Sequence, residues 1–212
     1  MITLYPHQNK FVTDLRTSLR SHQSILAQAS CGFGKTVITA YMAKSATDKG
    51  KRTLFTVHRK DLLLQTARTF DSFDLPFGFI AAGFSPTPKA PVQIASIETL
   101  KNRIEKLHKP DLLVIDEAHL SAATGWKKLI LHYRSIGCKI IGLTATPWRL
   151  SGDGLGDIYD TMVQGPSTAW LIKNNYLSDY KVYAPKTPDL SGVHSKMGDY
   201  LNNELVTAMD KG

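Results

Sequence analysis

The chain is poor in the residues that build covalent or metal frameworks. Its 212 residues include two cysteines, Cys31 and Cys138, far apart and outside any CxxC pair. None of the seven histidines stands at zinc-ligand spacing from a cysteine. That arithmetic argues against a disulfide scaffold and against a structural zinc site. Long apolar runs are missing too: no stretch approaches the roughly 20 residues that span a bilayer. The opening segment, "MITLYPHQNKF", lacks the basic and then apolar pattern of a secretory leader, so the expectation is a cytoplasmic protein. Acidic residues are outnumbered by basic ones, 18 against 26, for a net charge of +8. Such a surplus favours an anionic partner such as nucleic acid, but a soluble surface that is merely basic explains it equally well. Position has to decide.

What the chain does have is alternation. "SILAQA" (24–29), "TLFTV" (53–57), "VQIAS" (92–96), "LLVID" (112–116) and "KIIGLT" (139–144) are nearly continuous in Val, Ile and Leu, as in strands covered on both faces. Helical period predicts helices near 8–20, 35–48, 60–71, 97–107 and 125–134. In the fourth, Ile97, Leu100, Ile104 and Leu107 form the apolar stripe. Strand and helix in turn predict an α/β fold, a mostly parallel sheet sandwiched by helices. "FSPTPKAP" (84–91) reads as an exposed loop and "SGDGLGD" (151–157) as a flexible segment. A further helix is expected over 166–177, with Ser167 as its N-cap. "DYKVYAP" (179–185) reads as one more strand, and "GDYLNNELVTAMDKG" (198–212) as a short amphipathic helix at most.

Two motifs carry chemistry. "QASCGFGKT" (28–36) lies between a buried-type strand and a helical segment, the setting in which backbone N–H groups and a helix N-terminus face a phosphate. Gly32 and Gly34 are expected to take backbone angles that a side chain disfavours. Lys35 is expected to reach the β- and γ-phosphates, and the Thr36 hydroxyl to bind Mg2+. "LLVIDEAH" (112–119) ends a hydrophobic strand with an acid pair, on the sheet edge where open α/β sheets bind ligands. Asp116 would hold the metal, and Glu117 would orient and deprotonate the attacking water. Together the motifs predict a P-loop NTPase using ATP and Mg2+.

In both motifs the sequence resembles the superfamily 2 helicases and translocases with a DEAH box, N-terminal RecA-like domain. The loop is similar to that family's AxTGxGKT: Ala29 opens it, Ser30, Gly32, Phe33, Gly34, Lys35 and Thr36 follow, and Cys31 departs from the usual threonine. Alkylation of Cys31 is accordingly expected to compete with Mg-ATP. "YPHQ" (5–8) resembles the adenine-reading segment, with Gln8 as reader; Tyr5 either lies against the base or does not. "HRKDLLLQ" (58–65) and "ASIETL" (95–100) resemble motifs that grip the nucleic-acid backbone, implying Arg59, Lys60 and Ser96 as contacts, with Arg149 beside them. Trp148 either stacks on a base or packs against protein. "LTATPWR" (143–149) resembles the segment coupling ATP state to nucleic acid through Thr144 and Thr146, with His119 as the link.

The residues after it narrow the resemblance to bacterial and phage helicases related to restriction-enzyme motor subunits. That likeness favours DNA over RNA as partner. It implies residues 1–185 as the first RecA-like domain and 186–212 as a connector toward a second one, whose arginines would complete the ATP site. The resemblance thus implies an ATP hydrolase, weak or inactive without that second domain. A nucleotide- or nucleic-acid-binding module without turnover of its own is the alternative, and a different P-loop enzyme, such as a kinase, is disfavoured by the "TATP" and "HRKDLLLQ" segments.

Overall fold

Five of the strands expected from their apolar runs pair side by side, and two more complete a seven-stranded sheet. The computed structural model describes residues 3–103, 109–122, 124–147, 154–181, 194–196 and 199–200. The strands are β1 (Ser24–Gln28), β2 (Thr53–Val57), β3 (Phe77–Ile80), β4 (Val92–Ser96), β5 (Leu112–Ile115), β6 (Lys139–Thr144) and β7 (Thr161–Gln164). They lie in the order β3-β4-β2-β5-β6-β1-β7, and every pairing is parallel. The helices are α1 (Pro6–Ser21), α2 (Lys35–Thr47), α3 (Lys60–Asp71), α4 (Ile97–Leu100), α5 (Thr124–Ser135) and α6 (Thr168–Lys173).

Successive side chains of a strand point to opposite faces, and the two apolar clusters follow that rule. Ile25, Ala27, Phe55, Val57, Val114, Ile141 and Leu143 join Phe11 of α1, Ile38 of α2 and Leu63 of α3 in one cluster. Their neighbours Leu26, Leu54, Leu113, Ile115 and Ile140 join Trp126, Leu129 and Tyr133 of α5 in the other. The sheet is therefore covered on both faces, which is why its central strands carry no polar alternation.

Several expectations need correction. The helix expected over 97–107 is regular only to Leu100; Lys101–Arg103 form a turn, and 104–107 lie outside the described residues. Ile97 and Leu100 fill the second cluster, but the exposed Lys101, Asn102 and Arg103 give a further turn nothing to pack against. The helix expected over 166–177 spans Thr168–Lys173. Its cap is the expected one, with the Ser167 hydroxyl accepting the Trp170 N–H at 3.2 Å. It stops because Asn175 turns left-handed, at φ 59°, and the Tyr176 N–H folds back to the Leu171 carbonyl at 2.9 Å. Residues 179–181 are not a strand, and 182–185 lie outside the described residues. Asp199–Tyr200 pairs antiparallel with Ser195–Lys196 as β9 with β8, where a helix was expected; 201–212 lie outside the described residues.

β3 and β7 were not foreseen. β3 is "FGFI", four residues with a glycine, and it needs that glycine. A Cβ on Gly78 would lie 2.6 Å from the Thr87 carbonyl oxygen of the Pro-rich loop, which Gln93 Nε2 holds by donating to the same oxygen at 2.8 Å. β7 is brought to β1 by Asp160, whose Oδ2 accepts the N–H groups of Gln23 and Ser24 at 2.9 Å each, while Arg134 pairs with its other oxygen.

Gly142 in β6 is the tightest such position near the acid motif. A Cβ there would overlap the Tyr159 hydroxyl, which bonds Ser121, and would lie 2.7 Å from the Ala118 Cβ. Gly142→Ala is expected to destabilise the fold by about 1–3 kcal/mol, the range for overpacking a filled core. The urea midpoint should fall at unchanged slope; an unshifted midpoint would contradict this packing account.

Candidate nucleotide and nucleic-acid site

Because the strands all run the same way, their C-terminal ends share one edge, and both motifs emerge there. The loop after β1 runs from Ala29 to Gly34, and Lys35 starts α2. Gly32 and Gly34 have φ of 76° and 89°, left-handed values that glycine adopts without strain. A Cβ on Gly34 would meet Gln8 Nε2 at 2.7 Å, and one on Gly32 would meet Leu177 Cδ2 at the same distance. Ala29 and Phe33 are buried and anchor the loop in the core, while Cys31 at its apex is exposed. Lys35 Nζ donates to the carbonyls of Ala29 at 3.2 Å and Ser30 at 3.3 Å, so its ammonium lies inside the loop's curve. Thr36, one residue on, is half-buried.

Gln8 is 6 % exposed and bonded within the chain at both ends of its amide. Its Nε2 donates to the Phe33 carbonyl at 2.9 Å, and its Oε1 accepts the Tyr5 N–H at 3.0 Å. It therefore ties the first turn of α1 to the phosphate loop, with one amide hydrogen and one lone pair left over for a base. Tyr5 stacks on His7, with ring centroids 5.7 Å apart, and meets Tyr176 edge-on at 5.2 Å. Burial holds His7 toward its neutral form.

Beside the loop, β5 delivers Asp116 and Glu117. The Asp116 N–H donates to the Thr56 carbonyl at 3.0 Å and continues the sheet ladder. Glu117 then turns left-handed, at φ 53°, a conformation a side chain adopts only at a cost. His119 Nδ1 lies 3.3 Å from both Glu117 Oε2 and Thr144 Oγ1. Thr144 Oγ1 in turn donates to the Thr146 carbonyl at 2.9 Å and accepts the Thr146 N–H at 3.1 Å. The residues Glu117, His119, Thr144 and Thr146 thus form one polar chain. The Ala29 N–H donates to the Thr144 carbonyl at 2.9 Å, so the phosphate loop joins the same node.

Burial, and next the charge of Glu117, push the Asp116 carboxyl above the ordinary carboxylate range. A backbone bond from Glu117 and the charges of Lys35 and His58 pull it back in part. A desolvated acid next to a second acid is an environment that a divalent cation relieves. Among the described residues no three His, Cys, Asp or Glu side chains gather around one point.

The nucleic-acid candidates divide. Arg59 is exposed at the N-cap of α3, and Ser96 sits half-buried at the N-cap of α4. The pairing of Val57 with Ser96 puts the two cap segments side by side on the motif edge. The backbone of Lys60 begins α3 there. Trp148 and Arg149 lie outside the described residues. Two contributors escape a reading of the sequence. His58 lies within the "HRKDLLLQ" motif, but its role depends on which strand neighbours β2. Leu177 lies 145 positions from Gly32, too far for any local pattern. A separate cavity of about 140 Å³, lined by Arg52, Leu54, Phe79 and Pro88, opens near the opposite strand ends and holds none of these residues.

Comparison with known proteins now decides the family. Residues 1–149 match the family model described as type III restriction enzyme, res subunit. The chain belongs to that family. A 51.5 kDa protein of a Lactococcus phage (isolate 7-9) is 36% identical over 186 residues, covering 88% of this chain and 38% of the relative. A Schizosaccharomyces pombe protein, provisionally named a mitochondrial ATP-dependent helicase, is 28% identical over 85% of this chain and 32% of its own. The chain therefore spans about a third of the length of these relatives. Among solved structures, a nuclease-deletion mutant of the Type ISP restriction-modification enzyme LlaGI, in complex with a DNA substrate mimic, superposes with a TM-score of 0.67 at 15% identity, over 82% of this chain and 21% of that one. Likeness at that identity shows the RecA-like fold.

Two expected outcomes follow from the site. Iodoacetamide should label the exposed Cys31 and block binding of a fluorescent ADP analogue, and Mg-ATP should protect the thiol. Equal labelling with and without nucleotide, read by mass spectrometry, would contradict its place in the loop. For Asp116, a carboxyl held above its unfolded value costs the fold as it ionises. That cost is absent in acid and grows as pH rises through the carboxylate range. Asp116→Asn should therefore raise the neutral-pH melting temperature by about 2–4 °C, the scale of 1 kcal/mol in a domain this size. Mg2+-dependent nucleotide binding should be lost at the same time. The thermal gain should shrink in acid; a gain that persists there would contradict the electrostatic cause.

Proposed function

We propose that the chain is the ATP-binding first motor domain of an ATP-dependent helicase or translocase acting on DNA in preference to RNA. The observation that carries this reading is the single sheet edge that gathers Lys35, Thr36, Asp116, Glu117 and the His119–Thr144 link beside the cap segments of α3 and α4. The relative from Schizosaccharomyces pombe supports ATP-dependent action on nucleic acid, and the DNA substrate mimic in the LlaGI complex supports the choice of DNA.

Lys35 must leave the Ala29 and Ser30 carbonyls to reach the β- and γ-phosphates. Thr36 and Asp116 would hold Mg2+, which would supply positive charge against the negative charge developing on those phosphates. Glu117 orients the attacking water and takes its proton. His119, whose Nδ1 lies 3.3 Å from both Glu117 Oε2 and Thr144 Oγ1, carries the state of that carboxylate toward Thr146. Gln8 turns its remaining hydrogen-bonding capacity toward adenine. Arg59, Lys60, Ser96 and Arg149 grip the sugar-phosphate backbone without reading sequence, so binding should weaken as salt rises. Residues 1–185 form this domain, and 186–212 lead toward a second RecA-like domain whose arginines complete the site. The protein would work in the cytoplasm.

ATP hydrolysis by the 212-residue chain, with and without single-stranded DNA or RNA, tests the reading. Slow turnover stimulated more by DNA than by RNA is expected. Glu117→Gln should abolish it and leave nucleotide binding intact. Mg-ATP binding that Glu117→Gln leaves unchanged, with no turnover under any condition, would favour the binding-module alternative for this chain.

A further inference from the structure

Two imidazoles flank the acid pair, and only one of them has a bonded role so far. His119 reaches Glu117 and Thr144. His58 comes from the opposite side. It is the first residue after β2, and β2 lies directly against β5 with Thr56 paired to Ile115. The Asp116 N–H extends that ladder by donating to the Thr56 carbonyl at 3.0 Å. Carried two residues further, the same register sets His58 level with Glu117, one residue past Asp116. His58 is half-buried, and its Nδ1 is buried with no hydrogen-bond partner. Buried polar atoms are nearly always bonded, and one without a protein partner calls for an explanation such as a catalytic role or a water or ion as partner. The other buried side-chain atoms without partners among the described residues belong to His7, Thr47, Thr53 and Tyr133, none of which adjoins the acid pair in the sheet register. His58 is also near enough for its charge to act on the Asp116 carboxyl.

We propose that His58 is a positioning residue for Asp116: its imidazole Nδ1–H holds the metal-binding carboxylate, directly or through one water, in the orientation that Mg2+ requires. The inference rests on the reading of Asp116 as the Mg2+ carboxylate. Hydrogen bonds to a ligating carboxylate orient it, and their loss commonly weakens metal binding by 10- to 100-fold. His58 is also contiguous with Arg59 and Lys60 at the start of α3, so a strand gripped at those residues pulls on the side chain that aims Asp116. Contact with nucleic acid thereby reaches the metal site from the α3 side, while His119 serves the Thr144 side.

The test is the Mg2+ concentration that half-saturates binding of a fluorescent ATP analogue, read beside the analogue's affinity in EDTA. In His58→Ala the half-saturating Mg2+ should rise about tenfold, the low end for a lost carboxylate partner. The affinity in EDTA should stay that of the unsubstituted chain, which a general loss of structure would not allow. His58→Asn, whose amide N–H overlies the Nδ1–H position, should restore most of the Mg2+ response, and His58→Gln should not. Should His58→Ala fail to fold, the Asn and Gln pair carries the comparison, and equal impairment of the two overturns the proposal. An unaltered Mg2+ response in folded His58→Ala overturns it while leaving the ATP site standing. Absence of any nucleotide binding by the unsubstituted chain overturns the ATP-site reading and this inference with it.

Discussion

Parallel pairing is the constraint on which the rest of the molecule depends. Each strand of the seven enters from one edge and leaves at the other, so whatever follows a strand is delivered to the same rim. β1 delivers the phosphate loop, β2 the segment His58–Lys60, β4 Ser96, β5 the acid pair and β6 Thr144. These pieces are widely separated in the chain, and register alone makes them neighbours. An antiparallel pair would send alternate motifs to opposite edges. The unbroken Val, Ile and Leu runs that signal burial on both faces are thus the same feature that assembles the site.

The rim is held under electrostatic tension. Asp116 is buried beside Glu117, and Glu117 stands in a left-handed backbone conformation that costs on the order of 1–3 kcal/mol. The charge of Lys35 acts on Asp116, and its ammonium bonds to two loop carbonyls. On the proposed reading, a nucleotide carrying a divalent cation would answer both demands at once, giving Lys35 an anion and Asp116 a cation. The loop is held at three points. Gln8 holds the Phe33 carbonyl, Ser30 Oγ donates to the Pro166 carbonyl, and Leu177 fills the space against Gly32. Such preorganisation lets binding energy go to the phosphates instead of to folding the loop.

How much of this could be read from residues alone follows from what each feature depends on. The strand–glycine loop–helix unit at 24–47 and the acid pair at the end of β5 were legible because their chemistry is local: φ values, a helix N-terminus and a strand end. The five central strands were legible because burial on both faces leaves a long apolar run. β7 was not, since "TMVQ" is a short edge strand whose place depends on Asp160 reaching back to Gln23 and Ser24. The helix over 97–107 was over-extended because its stripe was counted without knowing that Lys101–Arg103 form an exposed turn after Leu100. His58 stood in plain view in "VHRKD", but nothing in one sequence says that β5, and not β1, lies beside β2. Sheet order is a long-range fact, and functions that depend on it stay hidden in the chain.

The way the site couples to its surroundings depends on one residue used twice. Thr144 is fully buried, and its carbonyl accepts the Ala29 N–H while its hydroxyl meets His119 and Thr146. The first bond belongs to the main chain and fixes where the phosphate loop begins. The second belongs to the side chain and follows the state of Glu117. A shift of the segment after β6 therefore changes the loop's entry and the carboxylate's partner together, although the two bonds are chemically independent. The proposed opposite route, from α3 through His58, would act on Asp116 without involving Thr144. On the proposed reading, metal and water would be governed from different sides of the same acid pair, with nucleic-acid contact at α3 acting on one and the segment after β6 on the other.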